Sequence, residues 1–109
     1  MKRGDIVTVA ISGDYGKPRP AVIVQSDLFT QHDAHSIILC LLTSQIEPVK
    51  TFRLLIEPTE NNGLQKPSQI MVDKIFTASR AKVGASIGAL TKSQLQQLNR
   101  MLALVIGLA

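Results

Sequence analysis

At 109 residues, 45% of them hydrophobic, the chain has the length of one domain and enough apolar side chains to bury a core, which excludes a disordered segment. Three Phe, one Tyr and no Trp argue against a platform of exposed rings for stacking bases. A formal net charge of +4, with no run of like charges, favours an anionic partner, either nucleic acid or an acidic protein tail.

The start, MKRGDIV, carries two basic residues but no apolar run behind them. No stretch nears the ~18 apolar residues of a membrane span, so neither a secretory leader nor a membrane segment is expected. DIVTVAI (5–11) is β-rich and partly alternating and predicts a first strand. SGDYGKP (12–18) is dense in turn residues and predicts a loop. PAVIVQS (20–26) is an apolar run bounded by Pro and Asp, a buried strand. DLFTQHDAHS reads as a polar loop, SIILCLLT (36–43) as a third strand and TFRLLIE (51–57) as a fourth. PTENNGLQKPS (58–68) is a turn-rich connection, and QIMVDKIF (69–76) a fifth strand with one wet face. VGASIG reads as turn material.

The period then changes to that of a helix over 90–108, where Thr91 and Gln94 fit a capping box. Leu95, Leu98, Leu102 and Val105 share one face. Met101, Leu104, Ile106 and Leu108 make the last turns apolar nearly all round, more than one sheet covers, so a second copy of the chain is expected over them. The expected architecture is a single domain spanning 1–109, mainly β, a small barrel or strongly bent sheet with a C-terminal helix. The lone Cys40, inside an apolar strand, implies no disulfide and suits a reducing cytoplasm.

His32 and His35 flank Asp33, but no third His or second Cys completes a ligand set, so neither a metal nor a cofactor is expected. No phosphate-cradling glycine loop, Walker lysine or G-x-S-x-G elbow is present. Arg19 stands out in GKPRPAVIV, between two prolines and against a core strand. Pro20 drives it into extended geometry, so its side chain leaves the strand start with little backbone freedom. Such a fixed fork suits a phosphate or carboxylate, or else a surface pair with Asp14 or Asp73. Thr43 and Ser44 end an apolar strand and either donate to a phosphate oxygen or satisfy the following turn. Asp73 interrupts an apolar strand, as a wet-face residue or a carboxylate able to accept a proton.

RGDIVTVAI, a glycine-containing loop, KPRPAVIVQSD, a strand ending LLTSQI, and later QIMVDKIFTASRAKVGASIGALT occur in this order along nearly the whole chain. Together they resemble the MazF/PemK family of toxin ribonucleases. The resemblance implies an SH3-like barrel with a C-terminal helix, working as a homodimer. It implies an mRNA-cutting endoribonuclease toxin that arrests translation and growth, acts without metal on single-stranded RNA, and is silenced by an antitoxin with a flexible, acidic tail. It implies attack by the RNA's own 2′-hydroxyl, leaving a 2′,3′-cyclic phosphate or 3′-phosphate and a 5′-hydroxyl.

The family's catalytic arginine and threonine fall on Arg19 and Thr43, with Asp73, Asp14 and Ser44 as auxiliary candidates. Lys17, Tyr15 and Gln69 are candidate RNA contacts. Some members of the PemK branch carry an arginine where this chain has Met71, so that branch's acid–base assignment does not carry over intact and the general base is left unassigned. A CcdB-like gyrase poison, or an SH3-like binding module without activity, are the competing readings; the absence of a C-terminal Trp disfavours the first, and retention of Arg19 and Thr43 the second.

Overall fold

Apolar strands joined by polar loops pair antiparallel, because a short connection returns the chain beside itself. The computed structural model describes residues 1–13, 17–32, 34–48 and 52–109. Its strands are β1 (Asp5–Ala10), β2 (Pro18–Ile23), β3 (Ser36–Thr43), β4 (Arg53–Ile56), β5 (Ser68–Ser79) and β6 (Val83–Ala89), with helices α1 (Asp27–Gln31) and α2 (Lys92–Val105). The six strands form one sheet in the order β4-β5-β3-β2-β1-β6, every neighbouring pair antiparallel. This is the expected mainly-β domain with a C-terminal helix. The sheet is not a closed barrel: among the described residues, edge strands β4 and β6 share no ladder. The connection between β4 and β5 spans that gap, with the Ala89 N–H donating to the Asn61 carbonyl at 3.0 Å.

The central strands carry apolar residues on both faces because the sheet has a core on each side. Ile6, Val22, Cys40, Leu42, Ile70 and Val72 pack under Leu98 and Leu102 of α2. Val7, Val9, Ala21, Ile23, Ile37 and Leu39 form the second cluster, against Phe76, Ala78 and Val83. Cys40 is fully buried. Burial, then the nearby Asp73 carboxylate, pushes its thiol up to about 11, against a smaller opposing effect of Arg3.

α2 starts where its cap predicts. Gln94 N–H donates to Thr91 Oγ1 at 3.1 Å, and Thr91 N–H to Gln94 Oε1 at 2.9 Å. Arg3 ties the helix to the sheet, donating from Nε to the Val24 carbonyl at 2.9 Å and from Nη1 to Asn99 Oδ1 at 2.6 Å. Leu102 is absorbed into the core, whereas Leu104, Ile106 and Leu108 are 58%, 56% and 78% exposed.

Two elements depart from the sequence reading. β6 contains the expected turn VGASIG, yet it is a strand paired along β1. Its residues are small and mostly exposed, so they show no period-2 alternation. Gly88 serves close approach: a Cβ there would run into the backbone of Asn61 and Asn62. The expected loop after β2 holds α1, capped by the Ser26 hydroxyl, which accepts from Leu28 N–H at 3.2 Å. No helix among the described residues is long and apolar enough to cross a membrane.

Candidate active site

The prolines around Arg19 decide where the sheet opens. Along a strand, successive N–H groups alternate between the two neighbours. Val24 N–H donates to Ile38 C=O beside β3, so Val22, Pro20 and Pro18 face β3 as well. Two of these three have no N–H to give. The β2–β3 ladder accordingly runs from Ile23↔Leu39 to Ala21↔Leu41 and stops. Continued by two residues, the register would set Arg19 opposite Thr43. A groove of about 630 Å³ opens there, lined by Arg19 between its two prolines and by Leu42, Thr43, Ser44 and Gln45.

The strand carrying Arg19 is held from its other side, where β1 pairs Val9 with Arg19 and Thr8 with Pro20. Thr8 and Ile87 line that flank. A further wall, next to that flank, is Gly63, Leu64, Gln65, Lys66 and Ser68. Asn62, 2% exposed, organises this wall as a hub. Its Oδ1 accepts from Thr59 N–H and Leu64 N–H, both at 3.0 Å, and its Nδ2 donates to the Glu57 carbonyl at 2.8 Å. Gly63 has φ +68°, and a Cβ there would meet the Ile87 carbonyl, so glycine lets the wall lie against β6.

The groove's chemistry is one-sided. Among the described residues its lining holds two cations, Arg19 and Lys66, hydroxyls from Thr8, Thr43, Ser44 and Ser68, and no carboxylate or imidazole. Thr43 Oγ1 accepts from Gln45 N–H at 3.1 Å. With a lone pair thus occupied, the hydroxyl proton is available to donate to an anion. A guanidinium fork, an ammonium and oriented hydroxyls make a receptor for a phosphodiester.

The structure brings together Arg19, Thr43 and Ser44 of the sequence candidates. Lys17 is exposed, one residue before the groove-lining Pro18. Gln69 does not line the groove; it is 1% exposed, and its amide is bonded to the backbone of Glu47. That burial removes it from direct contact with a ligand. Asp73 is exposed on β5 where the β3–β5 register jumps between Cys40↔Ile75 and Leu42↔Ile70. It lies outside the groove lining, and its charge acts on Cys40 instead. Asp14 and Tyr15 lie outside the described residues. Sequence reasoning missed Gln45, Gln65 and Lys66, whose polar, turn-rich surroundings read as plain connection.

Comparison with known proteins sharpens this picture. The model of the PemK-like, MazF-like toxin family of type II toxin–antitoxin systems matches residues 2–106. A protein of Mycolicibacterium smegmatis named "Probable endoribonuclease MazF" is 36% identical over 110 residues, covering 100% of this chain and 99% of that relative. Among solved structures, an endoribonuclease in complex with its cognate antitoxin from a mycobacterial species superposes with a TM-score of 0.83 at 18% identity, over 100% of this chain and 97% of that one. The Mycobacterium tuberculosis toxin MazF-mt6 gives 0.80 at 20% identity, over 94% and 96%. A MazE–MazF structure from Deinococcus radiodurans gives 0.78 at 14%, over 100% and 98%. At these identities the solved structures speak for the fold.

Proposed function

The chain belongs to the PemK-like, MazF-like toxin family of type II toxin–antitoxin systems, and on that footing we propose that it is an endoribonuclease that cuts single-stranded RNA in the Arg19–Thr43 groove without a metal. The observation that carries this reading is the ladder break, which opens a groove lined by Arg19, Lys66 and Thr43, with no carboxylate among the described residues that line it. A phosphodiester seated there receives the Arg19 fork on its non-bridging oxygens, where charge builds as the phosphorus becomes five-coordinate. Thr43 donates its hydroxyl proton to the same group. The RNA's 2′-oxygen attacks phosphorus, the bond to the 5′-oxygen breaks, and the products are a 2′,3′-cyclic phosphate and a 5′-hydroxyl. The 2′-proton leaves to solvent or to Asp14, the auxiliary candidate; the leaving 5′-oxygen takes a proton from water. Arg19 and Lys66 supply the positive charge for which other nucleases use a cation.

The experiment that tests this reading replaces one ribose. An RNA with a mapped cut should become resistant at that bond when the nucleotide on its 5′ side is 2′-deoxy. Continued cleavage there would rule out the 2′-hydroxyl as nucleophile. Lys66→Ala is expected to weaken RNA binding and to reduce the slope of log affinity against log salt by about 0.7, the loss of one single-strand phosphate contact. An unchanged slope would place Lys66 away from the backbone.

The same reading supplies partners. An antitoxin tail rich in Asp and Glu is the ligand that a groove lined by Arg19 and Lys66 would accept. The exposed Ile106 and Leu108 line an apolar recess with Val24, Ile38 and Ile75, a surface suited to a second copy of the chain. Sedimentation as a dimer at micromolar concentration is expected; a monomer would refute that pairing. Action in the cytoplasm and arrest of growth through loss of mRNA complete the proposal.

A further inference from the structure

Gln69 is a buried amide with an unusual pair of partners. Its Oε1 accepts from Glu47 N–H at 3.1 Å, and its Nε2 donates to the Glu47 carbonyl at 3.0 Å. Both ends are therefore spent on the backbone of one residue, as a neighbouring strand's peptide would be. The match requires Glu47 to be extended, since only then do its N–H and C=O point to the same side. Pro48, next in the chain, biases Glu47 to that conformation. Glu47 adds a contact of its own to Arg53, 3.8 Å away, but with its side chain 67% exposed this pair contributes little.

The clamp sits beside Thr43. Across the β3–β5 ladder Gln69 is the register partner of Thr43. Between Thr43 and Glu47 the chain makes one turn, from which Ser44 and Gln45 line the groove. The Gln45 N–H in that turn is the donor that fixes Thr43 Oγ1. A continuous chain of contacts thus runs from the Gln69 amide through Glu47 and the turn to the Thr43 hydroxyl.

We propose that Gln69 is a positioning residue: by clamping Glu47 it holds the turn that aims the Thr43 hydroxyl at the phosphate. This rests on the endoribonuclease reading above and assigns Gln69 a part in that reaction without contact to RNA. A merely structural glutamine would affect stability and leave the two active-site backgrounds alike; a positioning one acts through Thr43. Groups in one network are non-additive, whereas independent ones add.

The experiment is a double-mutant cycle on RNA cleavage. Gln69→Leu should lower kcat about 10- to 100-fold, the scale of a misplaced reacting group, and change KM less than about twofold. In the Thr43→Ala background the same substitution should change kcat by less than about twofold. Glu47→Pro, which deletes the accepted N–H in an exposed segment and leaves the core intact, should reproduce the loss even if Gln69→Leu fails to fold. Amide hydrogen exchange should show protection lost at Gln45 and Glu47 and kept along β5. Wild-type kcat in folded Gln69→Leu, or in Glu47→Pro, or equal losses with and without Thr43, would overturn the proposal while leaving the nuclease reading intact. Absence of cleavage by the wild type would instead overturn that earlier reading.

Discussion

Arg19→Ala is expected to lower RNA cleavage about a thousandfold or more and to leave the fold in place. Its guanidinium lines a groove in which Lys66 is the other cation among the described residues. Removing one preorganised donor from a developing oxyanion typically costs 10²–10³ in rate, and here a full charge leaves with it. The residue is half-buried at the mouth of β2, and its backbone place is held by Val9 on β1 and by its prolines. Arg19→Lys should recover part of the binding and little of the rate, because an ammonium cannot present two parallel donors. The checks are single-turnover cleavage and the thermal midpoint of each variant. Cleavage by Arg19→Ala within tenfold of wild type would remove Arg19 from the chemistry.

The second large effect is on stability. Leu98 is 0% exposed and sits where α2 meets the sheet, in one cluster with Ile6, Val22, Ile70 and Leu102. Leu98→Ala should cost about 3 kcal/mol, the middle of the range for a buried leucine whose cavity cannot collapse fully. For a domain of this size that lowers Tm by roughly 10–25 °C. Denaturant unfolding should show the loss as a lower midpoint with an unchanged slope. A loss under about 1 kcal/mol would mean that α2 is fastened elsewhere, through Arg3 and its bonds to Val24 and Asn99.

Much of this architecture was legible in residue patterns, for physical reasons that differ by element. β3 is read at its true bounds because an apolar run with a core on each face has no polar residue to blur its ends. The start of α2 is read from Thr91 and Gln94 because a capping box is local chemistry. β6 was not legible: an exposed edge strand rich in Gly, Ala and Ser leaves no apolar period, and its Gly88 answers to a loop more than twenty residues earlier in the chain. α1 is five residues long and signalled chiefly by its Ser26 cap.

The site divides in the same way. Arg19 stands out because its prolines make a local anomaly, and the reason for them emerges with the ladder they interrupt. Thr43 stands out as a hydroxyl ending an apolar strand. Lys66 and Gln65 reach the groove through a connection built on Asn62, whose contacts fix its shape but carry no pattern along the chain. Gln69 read as a polar residue at a strand start, available to RNA. The backbone of Glu47, 22 residues away, takes up both ends of its amide, and a long-range pairing of that kind has no local signature.

The central claim is that the Arg19 groove cuts RNA by its own side chains. Purified protein, incubated with a long single-stranded RNA in excess chelator beside Arg19→Ala, and the new 5′ ends mapped, tests it most directly. Discrete cuts bearing 5′-hydroxyls, made by the wild type and absent with the variant, are the predicted result, and their flanks would display the sequence the groove prefers. Intact RNA with a folded wild type free of antitoxin, or the same cuts from both proteins, would contradict the account.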